Sequence, residues 1–217
     1  MLSHDGDQGF PGEVLAKVRY SLTEDNHLNI EFQATTDKVT PVAMCNHCYF
    51  HLGEQSLDGL ALKLNARSYL PTDEKGIPTG EIKKILGDDF RFDKAFVLGT
   101  KLTCATDEQI NMANKGFDHC YVLTKTNNLT DVMNTAMATL VAKTTGIKLE
   151  IFTDQVGMQL YTAQYLKGEF KPYQAVCLEA QDFPNAINEP NFDSNILMPK
   201  QKYQKTVTYH FSRILSP

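Results

Sequence analysis

Residues 14–34 have the sequence VLAKVRYSLTEDNHLNIEFQA, in which apolar and polar side chains alternate on both sides of a short polar segment. Successive side chains of a β-strand point to opposite faces of its sheet, so the alternation predicts two strands, residues 14–20 and 28–34, each with one apolar face. The polar segment between them, residues 23–26 (TEDN), is typical of a turn. The two strands are therefore expected to form an antiparallel hairpin.

The same alternation continues along the rest of the chain. A second hairpin is predicted from residues 138–142 (ATLVA) and 147–152 (IKLEIF), which flank a Thr-Thr-Gly turn. A helix signal is confined to one short turn at residues 106–110 (TDEQI). Many short strands between Gly, Pro and Asn turns predict an all-β antiparallel sandwich or barrel, with residues 1–217 as a single domain. Further strands are predicted near residues 60–64, 121–123, 158–161, 175–178 and 206–211.

Composition narrows the functional classes. Apolar residues make up 42% of the 217, enough for a core, and the net charge of -5 argues against nucleic acid or an anionic membrane as partner. There is no apolar run long enough for a transmembrane helix, and the first residues do not form a signal peptide. Five cysteines, an odd number, fit reduced thiols in a cytoplasmic protein, although one disulfide with three free thiols has the same count.

Cys45 and Cys48 at first suggest a metal or redox site. The surrounding residues 40–50 (TPVAMCNHCYF) are interpreted as a continuing β pattern. In a strand, positions three apart point to opposite faces, so the two thiols cannot share one tetrahedral metal ion. Cys104 and Cys120 are too far apart to supply a second pair at zinc-ribbon spacing. No metal site is predicted.

Two side chains are candidates for acid–base chemistry. His47 shares a strand face with Cys45 and Tyr49 in this interpretation, and is either a hydrogen-bonded core histidine or a group that titrates near neutral pH. Glu179 lies in the apolar segment 176–180 (VCLEA). Partial burial would raise its pKa into the range of a useful general base, whereas on an edge strand it would simply face water.

Two further polar residues are candidates for ligand binding. Asp118 starts a predicted strand at a loop mouth, where carboxylates bind ligands but also cap turns. Gln159 shares a strand face with Tyr161 beside Gly157. An amide and a phenol in this position suit the hydroxyls and the apolar face of a sugar, and they equally suit an outer sheet surface.

Six segments of the chain together resemble one protein family, in order and at plausible spacing. They resemble the DGxxGxPG, TPV…NHSYFNL, YLPVD…IPTG, GFDH, LEVYT…GVQFYTG and CLETQxFPDA segments of the aldose 1-epimerase (galactose mutarotase) family. The resemblance extends from about residue 4 to the end of the chain. The matching segments are residues 5–12 (DGDQGFPG), 40–50 (TPVAMCNHCYF), 69–80 (YLPTDEKGIPTG), 116–119 (GFDH), 149–161 (LEIFTDQVGMQLY) and 177–186 (CLEAQDFPNA).

The resemblance implies a large antiparallel β-sandwich, the galactose mutarotase-like supersandwich, with a sugar cleft on one sheet. It implies that Glu179 is the general base for the anomeric hydroxyl and that His47 is the general acid for the ring oxygen. Asp118 and Gln159 would hold sugar hydroxyls. The reaction interconverts the α and β anomers of free galactose or glucose and needs no cofactor. We expect Glu179 and His47 to face one another across a gap wide enough for a pyranose.

The sequence also departs from the family pattern. Cys48 and His51 replace the usual serine and asparagine beside the expected acid. Family members carry an N-terminal stretch with an arginine and a second histidine, in an NHxHGG motif, and neither has a counterpart here. We therefore expect a C-terminal part of the family fold, an N-terminally incomplete sandwich whose partner is a complementary N-terminal fragment.

Two alternatives to catalysis on free sugars remain open. The first is a non-catalytic carbohydrate-binding module, or an inactive fragment of a mutarotase, because part of the expected sugar clamp has no counterpart. The second is the related hexose-6-phosphate epimerase group. That group would need a basic cluster for the phosphate, and the chain has only four scattered arginines.

Overall fold

The computed structural model describes residues 1–124 and 134–214, and in these ranges the chain is built mainly from β-strands. Two short α-helices, α1 Leu98–Cys104 and α2 Glu108–Met112, and two 3-10 turns, Asp7–Gly9 and Leu57–Gly59, complete the regular structure. In chain order the strands are β1 Leu2–Ser3, β2 Val14–Leu22, β3 His27–Thr36, β4 Thr40–Pro41, β5 Tyr49–Phe50, β6 Leu60–Leu64, β7 Ala66–Tyr69, β8 Lys83–Lys84, β9 Phe96–Val97, β10 Asp118–Leu123, β11 Ala138–Ala142, β12 Ile147–Thr153, β13 Gly157–Tyr161, β14 Val176–Gln181, β15 Ile196–Leu197 and β16 Tyr203–Arg213.

The described strands form two large antiparallel sheets and one small one. The larger sheet has the order β1-β2-β3-β16-β12-β11-β6-β9, and the second has the order β5-β14-β13-β10-β7-β8. Strands β15 and β4 pair separately. Both predicted hairpins are confirmed: β2 pairs with β3 along its whole length, and β11 pairs with β12. The all-β sandwich predicted from the alternation is therefore confirmed.

The core lies between the inner faces of the two large sheets. Ile30 of β3 and Tyr209 of β16 contribute from the larger sheet, and Tyr121 of β10, Leu160 of β13 and Leu178 of β14 from the second, all fully buried in one cluster. Because side chains alternate along a strand, burying these residues turns their neighbours to the opposite face. On β10, β13 and β14 this opposite face carries three of the four candidate residues, Asp118, Gln159 and Glu179. The fourth, His47, lies outside these strands.

One prediction about local structure was wrong. Residues 42–48 do not form a strand, so the expected opposite facing of Cys45 and Cys48 has no structural basis. The backbone of this segment bonds to distant parts of the chain instead of a neighbouring strand. Met44 N–H donates to the Tyr203 hydroxyl (3.2 Å), and the Gln155 side-chain amide donates to the Met44 carbonyl (3.2 Å).

The helical regions are short and lie outside the two sheets. The predicted turn near residues 106–110 is confirmed as α2, with Asp107 as N-cap accepting a hydrogen bond from Gln109 N–H (2.9 Å). Helix α1 was not predicted. No helix among the described residues is long and apolar enough to cross a membrane.

Gly157→Ala is expected to lower the free energy of unfolding by about 1–3 kcal/mol, the usual cost of overpacking. A Cβ at Gly157 would lie 2.6 Å from the Cys120 Sγ and 3.2 Å from the Phe183 ring. The matched control is Gly87→Ala, because a Cβ there meets nothing within 4 Å. Urea melts of both variants check the prediction, and equal midpoints would contradict it.

Candidate functional site

The outer face of the second sheet carries two rows of polar and thiol side chains, set by strand register. Gln159 on β13 lies directly between Cys120 on β10 and Glu179 on β14. In the next row, Tyr161 lies between Asp118 and Cys177, on the same two strands. Alternation therefore brings Asp118, Gln159 and Glu179 to one surface, although about 60 residues separate the first from the last.

His47 joins these residues from the irregular segment 42–48. Its Nε2 lies 3.4 Å from Oε1 of Glu179, and its ring stacks on Tyr49 with centroids 5.2 Å apart. Tyr161 meets the His47 ring edge-on at 6.4 Å. The expected pyranose-wide gap between Glu179 and His47 is absent, because the two side chains are in direct contact. The His47 side chain is 50% exposed, so it has room to move away from Glu179.

The four candidate residues line one cavity of about 470 Å³, within the range of about 300–1,000 Å³ usual for small-molecule sites. Glu179 is only 5% exposed, so the reading of an edge-strand glutamate facing water was wrong. The loop that follows β7 contributes Thr72, Gly76 and Pro78 to the lining. The lining residues are His47, Tyr49, Thr72, Gly76, Pro78, Asp118, Cys120, Gln159, Tyr161, Glu179, Gln181 and Pro184.

Gln159 and Asp118 form a polar pair on the floor of the cavity. The Gln159 side-chain N–H donates to Asp118 Oδ1 at 2.8 Å. Gln159 Oε1 is buried and has no hydrogen-bond partner among the described residues. A buried acceptor without a partner is costly unless a ligand or water satisfies it, so a hydrogen bond donated to this oxygen by a ligand hydroxyl would be favourable.

Burial sets the protonation of the two carboxyl groups in the cavity. Burial raises the pKa of Glu179. The His47 imidazole lowers this pKa, the Asp118 charge raises it further, and the hydrogen bond from the Cys45 thiol lowers it. That thiol lies 3.8 Å from Glu179 Oε2. Burial also raises the pKa of Asp118, against the hydrogen bond from Gln159 and the nearby His47. A carboxylate with a raised pKa is a stronger base than one in water, as general base catalysis requires.

His119, next to Asp118 in the chain, belongs to the core and not to the cavity. It is fully buried, with its ring edge-on to Tyr69 and Phe90, and its Nε2 has no hydrogen-bond partner among the described residues. Burial lowers the pKa of His119 to about 4. This imidazole is therefore neutral at physiological pH, and its role is in packing.

Sequence reasoning assigned no role to two residues beside Glu179. Tyr49 stacks on His47 and covers one side of the site, and Cys177 lies on the same strand face as Glu179, two residues before it. The position of Cys177 follows from alternation along β14. The position of Tyr49 does not, because it depends on the pairing of the two-residue strand β5 with β14.

The sequence of this chain is similar to one protein family and to several of its known members. The sequence model of a family described as aldose 1-epimerase matches residues 1–210. The chain is 34% identical over 220 residues to the aldose 1-epimerase of Escherichia coli (strain K12), which covers 96% of this chain and 62% of that protein. It is 33% identical over 224 residues to the galactose mutarotase of Homo sapiens, which covers 97% of this chain and 61% of that protein. The chain thus spans about three fifths of these relatives' length.

Two solved structures share the fold. An aldose epimerase homologue from C. elegans superposes with a TM-score of 0.88 at 24% identity, covering 99% of this chain and 65% of that one. A galactose 1-epimerase from Lactobacillus acidophilus superposes with a TM-score of 0.83 at 28% identity, covering 98% of this chain and 61% of that one.

Proposed function

We propose, from the premise that this chain belongs to the aldose 1-epimerase family, that it interconverts the α and β anomers of free hexoses such as galactose and glucose. The proposal covers the substrate and the mechanism as well as the reaction. Its main structural support is the contact between Glu179 and His47, a buried carboxylate and a half-exposed imidazole that meet at one end of a cavity of suitable size.

In the proposed mechanism Glu179 acts as base and His47 as acid. The Glu179 carboxylate takes the proton from the anomeric hydroxyl, and protonated His47 donates a proton to the ring oxygen as the C1–O5 bond breaks. The open-chain aldehyde rotates about C1–C2. Reversal of both proton transfers closes the ring to the other anomer and restores both side chains. The balance needs no redox or metal cofactor, and none is part of the proposal.

Sugar entry must separate the acid from the base. The proposed mechanism places the C1–O5 unit of the sugar between the two groups, so their present 3.4 Å contact has to open. His47 is the group that moves in this proposal, because its side chain is exposed while Glu179 is enclosed by the sheet. Asp118 and the free Gln159 Oε1 then hold sugar hydroxyls, and Tyr161 offers an apolar ring face.

A free sugar fits the cavity better than a sugar phosphate. The described lining residues include no lysine or arginine, whereas Asp118 and Glu179 are both carboxylates. Phosphate binding in proteins depends on cationic side chains and on backbone N–H groups. A phosphorylated hexose would meet two carboxyl groups and no lysine or arginine, so the phosphate-specific alternative has no support in this cavity.

Polarimetry on freshly dissolved α-D-glucose and α-D-galactose tests the proposal. The chain is expected to shorten the approach to anomeric equilibrium in proportion to protein concentration. Saturation-transfer NMR with the same sugars measures binding separately. Binding with anomerisation at the solvent rate would overturn the catalytic proposal in favour of a carbohydrate-binding module, and a correctly folded chain with neither property would be an inactive fragment.

The acid limb of the pH–rate profile is expected to move in opposite directions in two variants. The base must be ionised, so kcat falls as the pH drops through the raised pKa of Glu179. Asp118→Asn removes a charge that raises this pKa and moves the limb to lower pH. Cys45→Ala removes a hydrogen bond that lowers it and moves the limb to higher pH. Profiles of kcat measured by polarimetry check both signs, and shifts in one common direction would count against Glu179 as the base.

We also propose that a complementary β-segment covers the free face of β2. The register sets Val18 beside buried Phe32 and Tyr20 beside buried Ile30, so the apolar face of β2 continues the core outward. Yet Tyr20 is 58% exposed and Leu22 75% exposed. Exposed apolar faces of this kind mark interaction sites or aggregation-prone surfaces.

Light scattering and binding of a hydrophobic fluorescent dye test this second proposal. The chain alone is expected to self-associate and to bind the dye, and Val18→Lys is expected to reduce both. A monomer with a sharp melting transition and no dye binding would contradict it.

Cytoplasmic location is also part of the proposal, supported by the free thiol state of all five cysteines, which lie in the described ranges.

A further inference from the structure

A thiol lies unused beside the proposed acid and base. Cys177 is fully buried on β14, with Tyr161 opposite it on β13 and Tyr49 opposite it on β5. Three possible metal-ligand atoms lie within 4.8 Å of one another here. They are an imidazole nitrogen of His47, the sulfur of Cys177 and a carboxylate oxygen of Glu179. The anomerisation mechanism makes no use of this sulfur.

These three ligand types are those that zinc prefers. Tetrahedral Zn²⁺ takes imidazole nitrogen and carboxylate oxygen at about 2.0–2.2 Å and thiolate sulfur at about 2.3 Å, which places the ligand atoms roughly 3.3–3.8 Å apart. The His47–Glu179 separation of 3.4 Å already satisfies that spacing. The remaining separations are at most 4.8 Å, and rotation of the half-exposed His47 side chain can shorten those that involve it.

We propose that His47, Cys177 and Glu179 form an inhibitory site for a soft divalent cation, with Zn²⁺ or Cd²⁺ as ligand. The inference rests on the proposed function, because the cation occupies the acid and the base of that mechanism. Binding replaces the Cys177 S–H bond with a metal–sulfur bond and releases the thiol proton to solvent. The fourth tetrahedral position is left for water. Sugar and cation then compete for one place.

This site differs from the Cys45–Cys48 pair considered from sequence. Cys45 approaches Glu179 through the other carboxylate oxygen, at 3.8 Å from Oε2, and donates a hydrogen bond there. The proposed metal site uses Cys177 instead. Cys177 and Glu179 lie two residues apart on the same face of β14, so the strand fixes the spacing of their backbones. Residues 42–48 contribute only the His47 nitrogen.

Two measurements on the full chain test the proposal. Polarimetry with added Zn²⁺ is expected to show inhibition that higher sugar concentrations relieve. Titration with Cd²⁺ is expected to produce the ultraviolet charge-transfer band of a cadmium–thiolate bond. Cys177→Ser should weaken the apparent inhibition by at least ~10-fold, because even the loss of a group that only supports a metal ligand typically costs about 10–100-fold in affinity. It should also abolish the band. Cys104→Ser, at the exposed end of α1, is the matched control and should behave as the parent chain.

The outcomes separate this inference from the proposed function. Each variant is compared with its own metal-free rate, and Cys177→Ala serves if Cys177→Ser does not fold. A Cys177-dependent cadmium band in a chain with no catalysis would support the metal site and overturn the function. Fast anomerisation with no cadmium band, or with equal zinc inhibition in the parent and Cys177→Ser, would overturn the metal site and leave the function standing.

Discussion

Glu179→Gln is expected to lower kcat for anomerisation by about 10²–10⁴-fold, the contribution of one positioned acid–base group. Glutamine keeps the shape and the hydrogen-bonding oxygen of the side chain but accepts no proton at neutral pH. Sugar contacts through Asp118 and Gln159 are untouched, so the sugar affinity is expected to change much less than kcat. Polarimetry for kcat and NMR titration for binding, on the same protein sample, measure the two effects separately.

The same substitution is expected to stabilise the fold at pH 7. Burial raises the pKa of Glu179 in the folded state above the value of 4.5 that it has in an unfolded chain. The folded state then binds more protons between the two values, so stability falls as the pH rises through this interval. Removing the ionisable group is expected to increase the free energy of unfolding at pH 7, with no gain below pH 4.

Glu54→Gln is the matched control for both effects. Glu54 is also a buried glutamate, but it lies outside the cavity, and its carboxylate accepts hydrogen bonds from Thr144 N–H (2.5 Å) and the Thr144 hydroxyl (2.9 Å). This variant should lose stability, because charge-assisted hydrogen bonds are weakened, and should keep its catalytic rate. A Glu179→Gln variant that is as active as Glu54→Gln would remove Glu179 from the mechanism.

Alternation was enough to predict much of the fold and the strand faces of two candidate residues, Gln159 and Glu179. One inner face follows from burial of Leu160 and Leu178, and Gln159 and Glu179 then lie on the other face because the side-chain period of a strand is two. Sequence does not determine which strands are neighbours. The row Cys120, Gln159, Glu179 exists because β13 lies between β10 and β14, and that order depends on pairing across long loops.

The position of His47 was beyond a local pattern. Residues 42–48 are apolar enough to suggest a strand, but no strand in the described part of the chain pairs with them. Their backbone is held by Tyr203 and Gln155, more than 100 residues away along the chain. The contact between His47 and Glu179 depends on these long-range bonds. The family resemblance predicted that the two residues would face one another across a gap, and it did not predict their direct contact.

Acidification is expected to destabilise the chain through His119 by about 3 kcal/mol. Burial holds the pKa of this imidazole at about 4 in the folded state, against 6.5 when exposed. Between these values the unfolded chain binds more protons than the folded chain, so the His119 contribution is complete above pH 6.5 and is lost as the pH falls to about 4. Each pH unit in that interval costs about 1.4 kcal/mol. Protonation would place an unpaired charge among Tyr69 and Phe90.

His119→Phe isolates this effect from the other buried groups. The raised pKa values of Glu179, Asp118 and Asp182 act in the opposite sense, because these carboxyl groups favour the folded state as they protonate. Subtracting the variant's stability from that of the parent at each pH cancels them. The phenyl ring also loses the hydrogen bond that His119 Nδ1 accepts from Asp118 N–H (3.2 Å), a cost of about 1 kcal/mol that does not depend on pH.

The expected signature is therefore a difference that changes with pH and not only a constant offset. Urea melts from pH 7.5 to 4 should show parent and His119→Phe converging, and then crossing, as the pH falls. His4→Gln, at an exposed position, should follow the parent chain throughout. If the stability curves of the parent and His119→Phe stay parallel, protonation of His119 does not destabilise the folded state in this pH range. The imidazole N–H must then donate a hydrogen bond to a partner. Such a partner would have to reach Nε2, the atom that no described residue contacts by a hydrogen bond.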